Sequence, residues 1–89
     1  MARIIRDDAI PRIIQPAPGF LAEIVLQLRE EPDHLVAISF WRSQEDADRW
    51  EVYGFDKVTA LLQHGLAAKP LRRPVNIVVS TDPRIKAQL

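Results

Sequence analysis

Trp41 and Asn76 are the two side chains in the sequence that best suit chemistry on a small molecule. The flat indole of a tryptophan and its N–H group match a planar phenolic or quinone-like compound. An asparagine amide can orient a substrate hydroxyl or stabilise a developing oxyanion. We therefore predict both as catalytic residues. A structural alternative stays open for Trp41, since a large aromatic residue at this point also closes a strand-to-helix corner.

Five further residues are predicted to bind a substrate. They are Glu23, Gln27, Ser39, Trp50 and Tyr53. Glu23, Gln27 and Ser39 belong, like Asn76, to predicted strand faces of mixed polarity. If these faces line a cleft, the side chains can orient a ligand. If they meet a partner sheet or solvent, the residues are ordinary interface or surface residues, and Trp50 and Tyr53 simply pack on the sheet and a loop.

The two tryptophans flank a predicted junction between a strand and a helix, in the segment Leu35 to Trp50. Residues 35–41 are apolar and partly β-branched or aromatic, which is typical of a buried strand. Ser43 stands at the N-cap position, and Asp46 follows it as in a variant of the capping box. The carboxylates of the first turn also favour the positive end of the helix dipole.

A β-hairpin is predicted ahead of this junction. The strand from Phe20 to Arg29 has one wholly apolar face. That face comprises Phe20, Ala22, Ile24, Leu26 and Leu28. Residues 30–33 form a turn, so the strand from His34 to Arg42 returns antiparallel. Matching the apolar faces places Glu23, Val25 and Gln27 beside Ala37, Ser39 and Trp41, an arrangement that a shift of one residue would reverse.

The N-terminus predicts an amphipathic helix that ends before the Pro/Gly-rich residues 15–19. Its apolar stripe comprises Ile5, Ala9 and Ile13, continued by Ile10 and Ile14. Pro11 removes an amide donor and disfavours α geometry in the residue before it. Two alternatives remain: a helix kinked near Ile10, or a short helix that begins at Asp7 or Asp8.

Downstream of Gly54 the sequence predicts a second short helix, capped by Asp56 and ended by Gly65. Its inward-facing residues are Val58, Leu61 and Leu62. Val75 to Ser80 alternates and is predicted as the last strand, and Asp82-Pro83 is predicted to start a short terminal helix. Strands separated by helices in this order are typical of an α+β fold.

Length and composition limit the kind of protein. A chain of 89 residues predicts a single domain spanning residues 1–89. Basic and acidic residues balance, so no global field draws the chain toward nucleic acid or membrane lipid. The chain has no cysteine, which excludes disulfides and cysteine zinc sites. No apolar run approaches a membrane span of about 20 residues, and no signal peptide is visible, so we expect a cytoplasmic location.

No cofactor motif or metal-binding cluster is visible. His34 and His64 lie far apart, and neither belongs to a cluster with metal-ligand spacing. The sequence has no glycine-rich phosphate loop and no nucleophile elbow. Lys69, Arg72 and Arg73 form a short basic loop, which is typical of solvated charge although it can bind a phosphate or carboxylate. We therefore predict neither a metal nor another cofactor.

The run Ile38 to Trp50, ISFWRSQEDADRW, resembles the antibiotic biosynthesis monooxygenase family. Members share a strand ending in Trp, a following Ser with acidic residues, and a second aromatic on the helix. Pro11 and the run Pro18-Gly19-Phe20 are similar to the family's first helix and its end, and Val75 to Ser80 falls where its last strand would. The resemblance implies a ferredoxin-like antiparallel sheet with helices on one face, paired into a dimeric α+β barrel with small-molecule clefts.

The chain departs from the family pattern at its N-terminus. The family's first strand precedes its first helix, so here that strand is either shortened to Ala2 to Arg6 or missing. Haem-degrading relatives share the Trp-Ser-helix-Trp segment but carry a haem-ligating histidine further along. This chain has Ala60 and Leu61 at that point, with His64 beyond them. The mismatch disfavours haem.

Two functions follow from the residues and the resemblance together. The first is a cofactor-independent monooxygenase, an oxidoreductase acting on a quinol or polyphenol-type aromatic compound. The substrate would supply the electrons, and the protein would supply desolvation, positioning and hydrogen bonds. The alternative is a non-catalytic dimeric module that binds small molecules or partners, since a fold does not determine a function. In both cases we expect a homodimer and neither nucleic acid nor membrane as a partner.

Overall fold

The computed structural model describes residues 2–65 and 71–87, and only the backbone of His64. The elements in chain order are α1 (Ala2–Ile4), a π-helix (Ile5–Ile14), β1 (Phe20–Gln27), β2 (Leu35–Trp41), α2 (Gln44–Tyr53), α3 (Phe55–Leu62) and a 3-10 turn (Gln63–Gly65). Helices and an antiparallel pair of strands are segregated along the chain, which confirms the α+β class. None of the described helices has the length and apolar character needed to cross a membrane.

The N-terminal helix begins at Ala2 and continues through Pro11 as a π-helix. The short helix starting at Asp7 or Asp8 and the short strand over Ala2 to Arg6 are therefore both wrong. In a π-helix each N–H bonds to the carbonyl five residues back, as Gln15 does to Ile10 at 2.8 Å.

The wide turns of the π-helix also change which of its side chains face inward. Ile5, Ala9 and Ile14 are buried, whereas Ile13 is partly exposed. Ile13 belongs to the predicted stripe only under α-helical spacing. Steps of four and then five residues, as from Ile5 to Ala9 to Ile14, keep one face of the wider helix inward.

β1 and β2 form the predicted hairpin with their apolar faces matched as predicted, but Trp41, predicted beside Glu23, Val25 and Gln27, lies opposite Phe20 instead. Glu23 lies opposite Ser39, Val25 opposite Ala37, and Gln27 opposite Leu35. The apolar face pairs Ala22 with Phe40, Ile24 with Ile38, and Leu26 with Val36. Because side chains alternate between faces, this register keeps the polar pair Glu23–Ser39 away from the apolar face.

A register shift between Phe20 and Ala22 alters one prediction about the hairpin. Phe20 lies opposite Trp41, and its ring meets the Trp41 ring edge-on with centroids 6.0 Å apart. Phe20 was predicted on the apolar face with Ala22. The irregularity inserts an extra residue into β1, which moves Phe20 to the face that carries Trp41.

The caps of α2 and α3 differ in kind. The Ser43 hydroxyl accepts a hydrogen bond from the Asp46 amide at 3.1 Å, so the predicted N-cap of α2 is confirmed. Gly54 precedes α3 and supplies no side-chain cap, which makes the predicted Asp56 cap wrong: Asp56 lies inside the first turn. Along α3, Leu62 is buried, whereas Leu61, predicted to face inward, is exposed.

The C-terminal segment departs most from the prediction. Residues 71–80 carry no regular secondary structure, so the strand predicted over Val75 to Ser80 does not form. Residues 82–85 form a turn, closed by the Ile85 amide on the Asp82 carbonyl at 3.0 Å, in place of the predicted helix. Of the predicted basic loop, Lys69 lies outside the described residues, and Arg72 pairs with Glu51 at 2.6 Å.

The core is small and lies among the helices. Its buried residues are Ile5, Ala9, Ile14 and Leu62. α3 contacts both the π-helix and α2, and α2 contacts β2. The apolar face of the hairpin keeps several large side chains open to solvent, among them Ile24 at 45% and Leu26 at 48% exposure. Burying these side chains would stabilise the hairpin at about 25 cal/mol per Å² removed from water.

Candidate functional site

Trp41 and Trp50 stack on each other where β2 turns into α2. Their ring centroids are 5.2 Å apart and the ring planes are inclined by 28°. With Phe20 edge-on to Trp41, three partly buried aromatic rings form one cluster at this corner. Aromatic pairs in stacked and edge-on geometry contribute roughly 0.5–1.5 kcal/mol beyond their buried area. The cluster therefore fixes both indoles in position.

Two glycines allow this corner to close. Gly19 has a φ of +78°, and its carbonyl accepts a hydrogen bond from the Arg42 amide at 2.7 Å. A Cβ atom at Gly19 would overlap the Asp46 carboxylate, which lies beside the α2 N-cap. A Cβ atom at Gly54 would overlap the Trp50 ring. Glycine at these two points thus lets the backbone approach both ends of α2.

A cleft of about 470 Å³ lies in front of Trp41. We call it the Trp41 cleft, lined by Leu21, Trp41, Arg42, Asn76, Arg84 and Lys86. It brings together Trp41 and Asn76, the two predicted catalytic residues, although they are far apart in the sequence. The irregular C-terminal segment supplies Asn76, Arg84 and Lys86, so one wall of the cleft comes from β2 and the other from residues near the C-terminus.

Positive charge dominates the described part of the Trp41 cleft. Arg42, Arg84 and Lys86 line it, and no carboxylate or imidazole does. Arg84 is held by Asp82 through contacts of 2.9 and 3.2 Å, and this guanidinium lowers the pKa of Asp82 to about 2. Cations beside an apolar indole favour a ligand that is flat and negatively charged.

A second cleft, of about 450 Å³, lies between the π-helix and α2. We call it the Trp50 cleft, lined by Arg12, Pro18, Arg49, Trp50, Tyr53 and Lys57. It contains Trp50 and Tyr53, two of the residues predicted to bind substrate. Four of the seven predicted site residues are therefore divided between two clefts, with the stacked indoles of Trp41 and Trp50 between them. The other three, Glu23, Gln27 and Ser39, line neither cleft.

Glu23 and Ser39 form a cross-strand pair on the same hairpin face as Trp41. The Ser39 hydroxyl donates a hydrogen bond of 2.5 Å to a Glu23 carboxylate oxygen. Burial raises the pKa of Glu23, and the hydrogen bond from Ser39 opposes that rise. Among the described groups with a shifted pKa, this is the one carboxyl whose pKa is raised.

Gln27 lies at the opposite end of the hairpin from Trp41. Its side-chain amide donates a hydrogen bond to the Pro32 carbonyl at 3.0 Å and so holds the turn. The structure does not bring Gln27 together with the other candidates, and its role in substrate binding stays a prediction.

Sequence reasoning missed most of the residues that line the Trp41 cleft. Leu21 and Arg42 are neighbours of predicted site elements, so their positions along the strands were a usable signal. Arg84 and Lys86 carried no such signal. They reach the cleft because the chain folds back after residue 71, and no local pattern in the sequence indicates that path.

The described residues contain no group of three or more metal-binding side chains. His34 is exposed beside Glu31, with 3.9 Å between the Nδ1 atom and the carboxylate oxygen. The side chain of His64 lies outside the described part of the structure.

The fold and the aromatic corner define an α+β domain with clefts on both sides of a stacked tryptophan pair. A family model, antibiotic biosynthesis monooxygenase, matches residues 7–52, which is more than half of the chain. The chain belongs to this family, and its fold is of the ferredoxin-like type. No curated protein and no solved structure gave a match in the other two comparisons.

Proposed function

We propose that the protein is a monooxygenase that oxidises a quinol or polyphenol-type compound in the Trp41 cleft without a metal or flavin. One observation carries the proposal: the cleft combines Trp41 and Asn76 with three cationic side chains. An indole face stacks on an aromatic ring, and the cations favour the phenolate form of the ligand over the phenol. Family membership supports the same class of reaction.

The proposed reaction needs no electron donor besides its substrate. The ring anion of a hydroquinone forms a bond from carbon to one oxygen atom of O₂. Cleavage of the O–O bond then leaves that atom on the ring and releases the other as water. A hydroquinone plus O₂ thus gives a hydroxyquinone plus water, and the four electrons that O₂ accepts all come from the substrate. Asn76 would donate a hydrogen bond to the developing oxyanion.

Oxygen uptake with 1,4-dihydroxynaphthalene tests this proposal, with the rate of uncatalysed oxidation subtracted. We expect Trp41→Ala to lower kcat/KM about tenfold or more, because stacking on an aromatic side chain contributes roughly 1–3 kcal/mol. Trp41→Phe should retain part of the rate. With ¹⁸O₂, one labelled atom should enter the product.

Val52→Ala is the control because Val52 lies on α2 beside the site, is 64% exposed and lines neither of the two clefts. It should leave the rate unchanged. Equal turnover in wild type, Trp41→Phe and Trp41→Ala would contradict the proposal and return Trp41 to a structural role at the corner.

A non-catalytic binding module is the second candidate. It is favoured by the absence of a carboxylate or imidazole among the described residues lining the Trp41 cleft, since such a group would accept the substrate's proton. This candidate predicts saturable binding of 1,4-dihydroxynaphthalene under nitrogen, together with no oxygen uptake above the uncatalysed rate in air.

The proposal includes a homodimer. Ile24, Leu26 and Val36 leave an exposed apolar patch on one hairpin face, and the zero net charge of the chain imposes no overall repulsion between copies. Light scattering coupled to size exclusion over a tenfold range of concentration should give a mass twice that of the chain. A constant monomer mass would remove the paired barrel and rank the monooxygenase below a plain, monomeric binding module.

A further inference from the structure

Glu23 is a carboxylate that the proposed reaction does not yet use. It lies in the middle of β1, is partly buried, and its one described side-chain hydrogen bond comes from Ser39. A partly buried carboxylate on a strand is costly unless it has a partner, and one hydroxyl leaves further acceptor positions open. The carboxylate therefore has capacity for a second donor.

The pair Glu23–Ser39 lies next to the aromatic corner. Ser39 and Trp41 are two residues apart on β2 and therefore point to the same face of the hairpin. Two residues of a strand span about 7 Å. Leu21, which lines the Trp41 cleft, is likewise two residues from Glu23 on β1. Glu23 and Ser39 do not themselves line the cleft, but a ligand of two or three fused rings stacked on Trp41 is long enough to reach from the cleft to the carboxylate.

We infer that Glu23 accepts the hydrogen bond, and then the proton, of a phenolic hydroxyl on a ligand stacked against Trp41. In this step the O–H bond of the ligand breaks, the proton moves to a carboxylate oxygen of Glu23, and the electron pair stays on the phenolate. Ser39 is a positioning residue that holds the carboxylate. The inference rests on the proposed function and supplies a base, which the described residues lining the Trp41 cleft do not include.

The surroundings of Glu23 suit this role. Across the hairpin it faces the Ser39 hydroxyl, and on β1 its neighbours on that face are the apolar residues Leu21 and Val25. No charged group shifts the pKa of Glu23 in the described part of the chain, since burial raises it and the Ser39 hydrogen bond opposes the rise. A carboxylate with a raised pKa is a stronger base, and Arg42 and Lys86 in the cleft would stabilise the phenolate formed.

Binding of 2-naphthol and 2-methoxynaphthalene, followed by calorimetry, tests the inference without any oxidation. The two probes share their ring system, but the methyl ether cannot donate a hydrogen bond. We expect wild type to prefer 2-naphthol about tenfold at pH 7, as befits a hydrogen bond to an ionised acceptor. Glu23→Gln should reduce this preference to within about threefold, since a neutral acceptor binds more weakly. Glu31→Gln, at the exposed turn, should keep it.

The pH profile of kcat/KM with 1,4-dihydroxynaphthalene separates a catalytic role from a structural one. Wild-type activity should rise with pH through the pKa of Glu23. Ser39→Ala removes the hydrogen bond that opposes the rise in pKa, so the midpoint should move to higher pH. Glu23→Gln should abolish this rise of kcat/KM with pH. Circular dichroism confirms that each variant is folded, and Ser39→Ala serves as the test should Glu23→Gln not fold.

The outcomes distinguish this inference from the proposed function. Turnover in wild type with no preference for 2-naphthol, or an unmoved midpoint in Ser39→Ala, overturns the role of Glu23 and leaves the monooxygenase intact. A preference for 2-naphthol that Glu23→Gln removes, without oxygen uptake, upholds the contact and supports the binding module. Absence of binding by either probe, together with absence of turnover, overturns both.

Discussion

The hairpin and the C-terminal segment have similar sequence patterns but different structures. Both alternate apolar residues, yet residues 20–27 form a strand and residues 71–80 do not. β1 has β2 beside it after a short turn, and their backbones bond in register. In the C-terminal segment Val75 and Val79 remain 76% and 81% exposed. The difference shows that alternation makes a strand only where a neighbouring strand receives its backbone hydrogen bonds.

The largest effect in this comparison is expected at Gly19, where the hairpin meets α2. Gly19→Ala places a side chain at positive φ and against Asp46, so unfolding free energy should fall by about 2 kcal/mol or more. Urea unfolding followed by tryptophan fluorescence measures the change. Pro18→Ala, at the exposed residue directly before it, is the control and should cost less than about 1 kcal/mol. Equal losses in both variants would show that the turn, and not the glycine conformation, matters.

Two serines provide the next test. Ser43 bonds to Asp46 at the start of α2, directly after the hairpin, and Ser80 bonds to Asp82 in the C-terminal segment. Ser43→Ala removes the N-cap of α2 and should cost about 1 kcal/mol. Ser80 caps no helix, and its hydroxyl contacts only the Asp82 backbone among the described residues, so Ser80→Ala should cost less than about 0.5 kcal/mol. Thermal unfolding of both variants checks the order, and a larger loss for Ser80→Ala would mean that the C-terminal segment is the better ordered region.

The pH dependence of stability should have opposite signs in the two regions. The pKa of Glu23 is raised in the fold, so the stability it contributes is present below its ordinary value of 4.5 and is lost as the pH rises through the folded value. Glu23→Gln should therefore match or exceed wild-type stability at pH 7, by less than about 1 kcal/mol for a partly exposed group, and lose that advantage near pH 4.

Asp82, in the C-terminal segment, has the reverse behaviour. Its pKa is lowered to about 2, so its contribution is present above the ordinary value of 3.8 and is lost as the pH falls toward 2. Urea unfolding distinguishes the two when Glu23→Gln is compared with wild type at pH 4 and pH 7, and Asp82→Asn is compared with wild type at pH 2.5 and pH 7. If the stability difference from wild type changed with pH in the same direction for both variants, one of the two causes would be wrong: burial as the cause of the raised pKa of Glu23, or Arg84 as the cause of the lowered pKa of Asp82.

The smallest effect on the single chain is expected from Val79→Lys. Val79 is almost fully exposed, so the substitution should change unfolding free energy by less than about 0.5 kcal/mol in the monomer. Ile38→Lys, in the paired strand, places a charge on the apolar face and should cost several times as much. A large loss for Val79→Lys that depends on protein concentration would indicate that a second copy covers the segment.

The aromatic corner was largely predictable because its determinants are neighbours in the chain. Ser43 and Asp46 are one helical turn apart, and Glu23 and Ser39 lie on the same face of a short hairpin whose apolar faces match in only one of the two possible ways. The exposed turn and the alternation therefore specify these contacts. The shift of Phe20 was not predictable in this way, because alternation alone does not show where a strand gains an extra residue.

Other features depend on packing between distant parts of the chain. The π-helical turns around Pro11 and the lack of a strand at Val75 to Ser80 both contradict the local pattern, since tertiary context outweighs propensity. The positions of Trp50 and Tyr53 in one cleft and of Trp41 and Asn76 in the other also depend on packing between distant parts of the chain. Trp41 and Trp50 stack on each other across the predicted junction, and Tyr53 lines the cleft on one side while Asn76 lines the cleft on the other.

The sequence by itself determined the hairpin, the matching of its apolar faces, the capped helix after it and the family to which the chain belongs. These features depend on the periodicity of apolar residues and on hydrogen bonds between residues close in the sequence. A short stretch of sequence is enough to specify both. Only the tertiary structure decided that Asn76, Arg84 and Lys86 line the cleft of Trp41. The path of the chain after residue 71 results from the sum of many weak, non-local contacts, and no short pattern in the sequence records that sum.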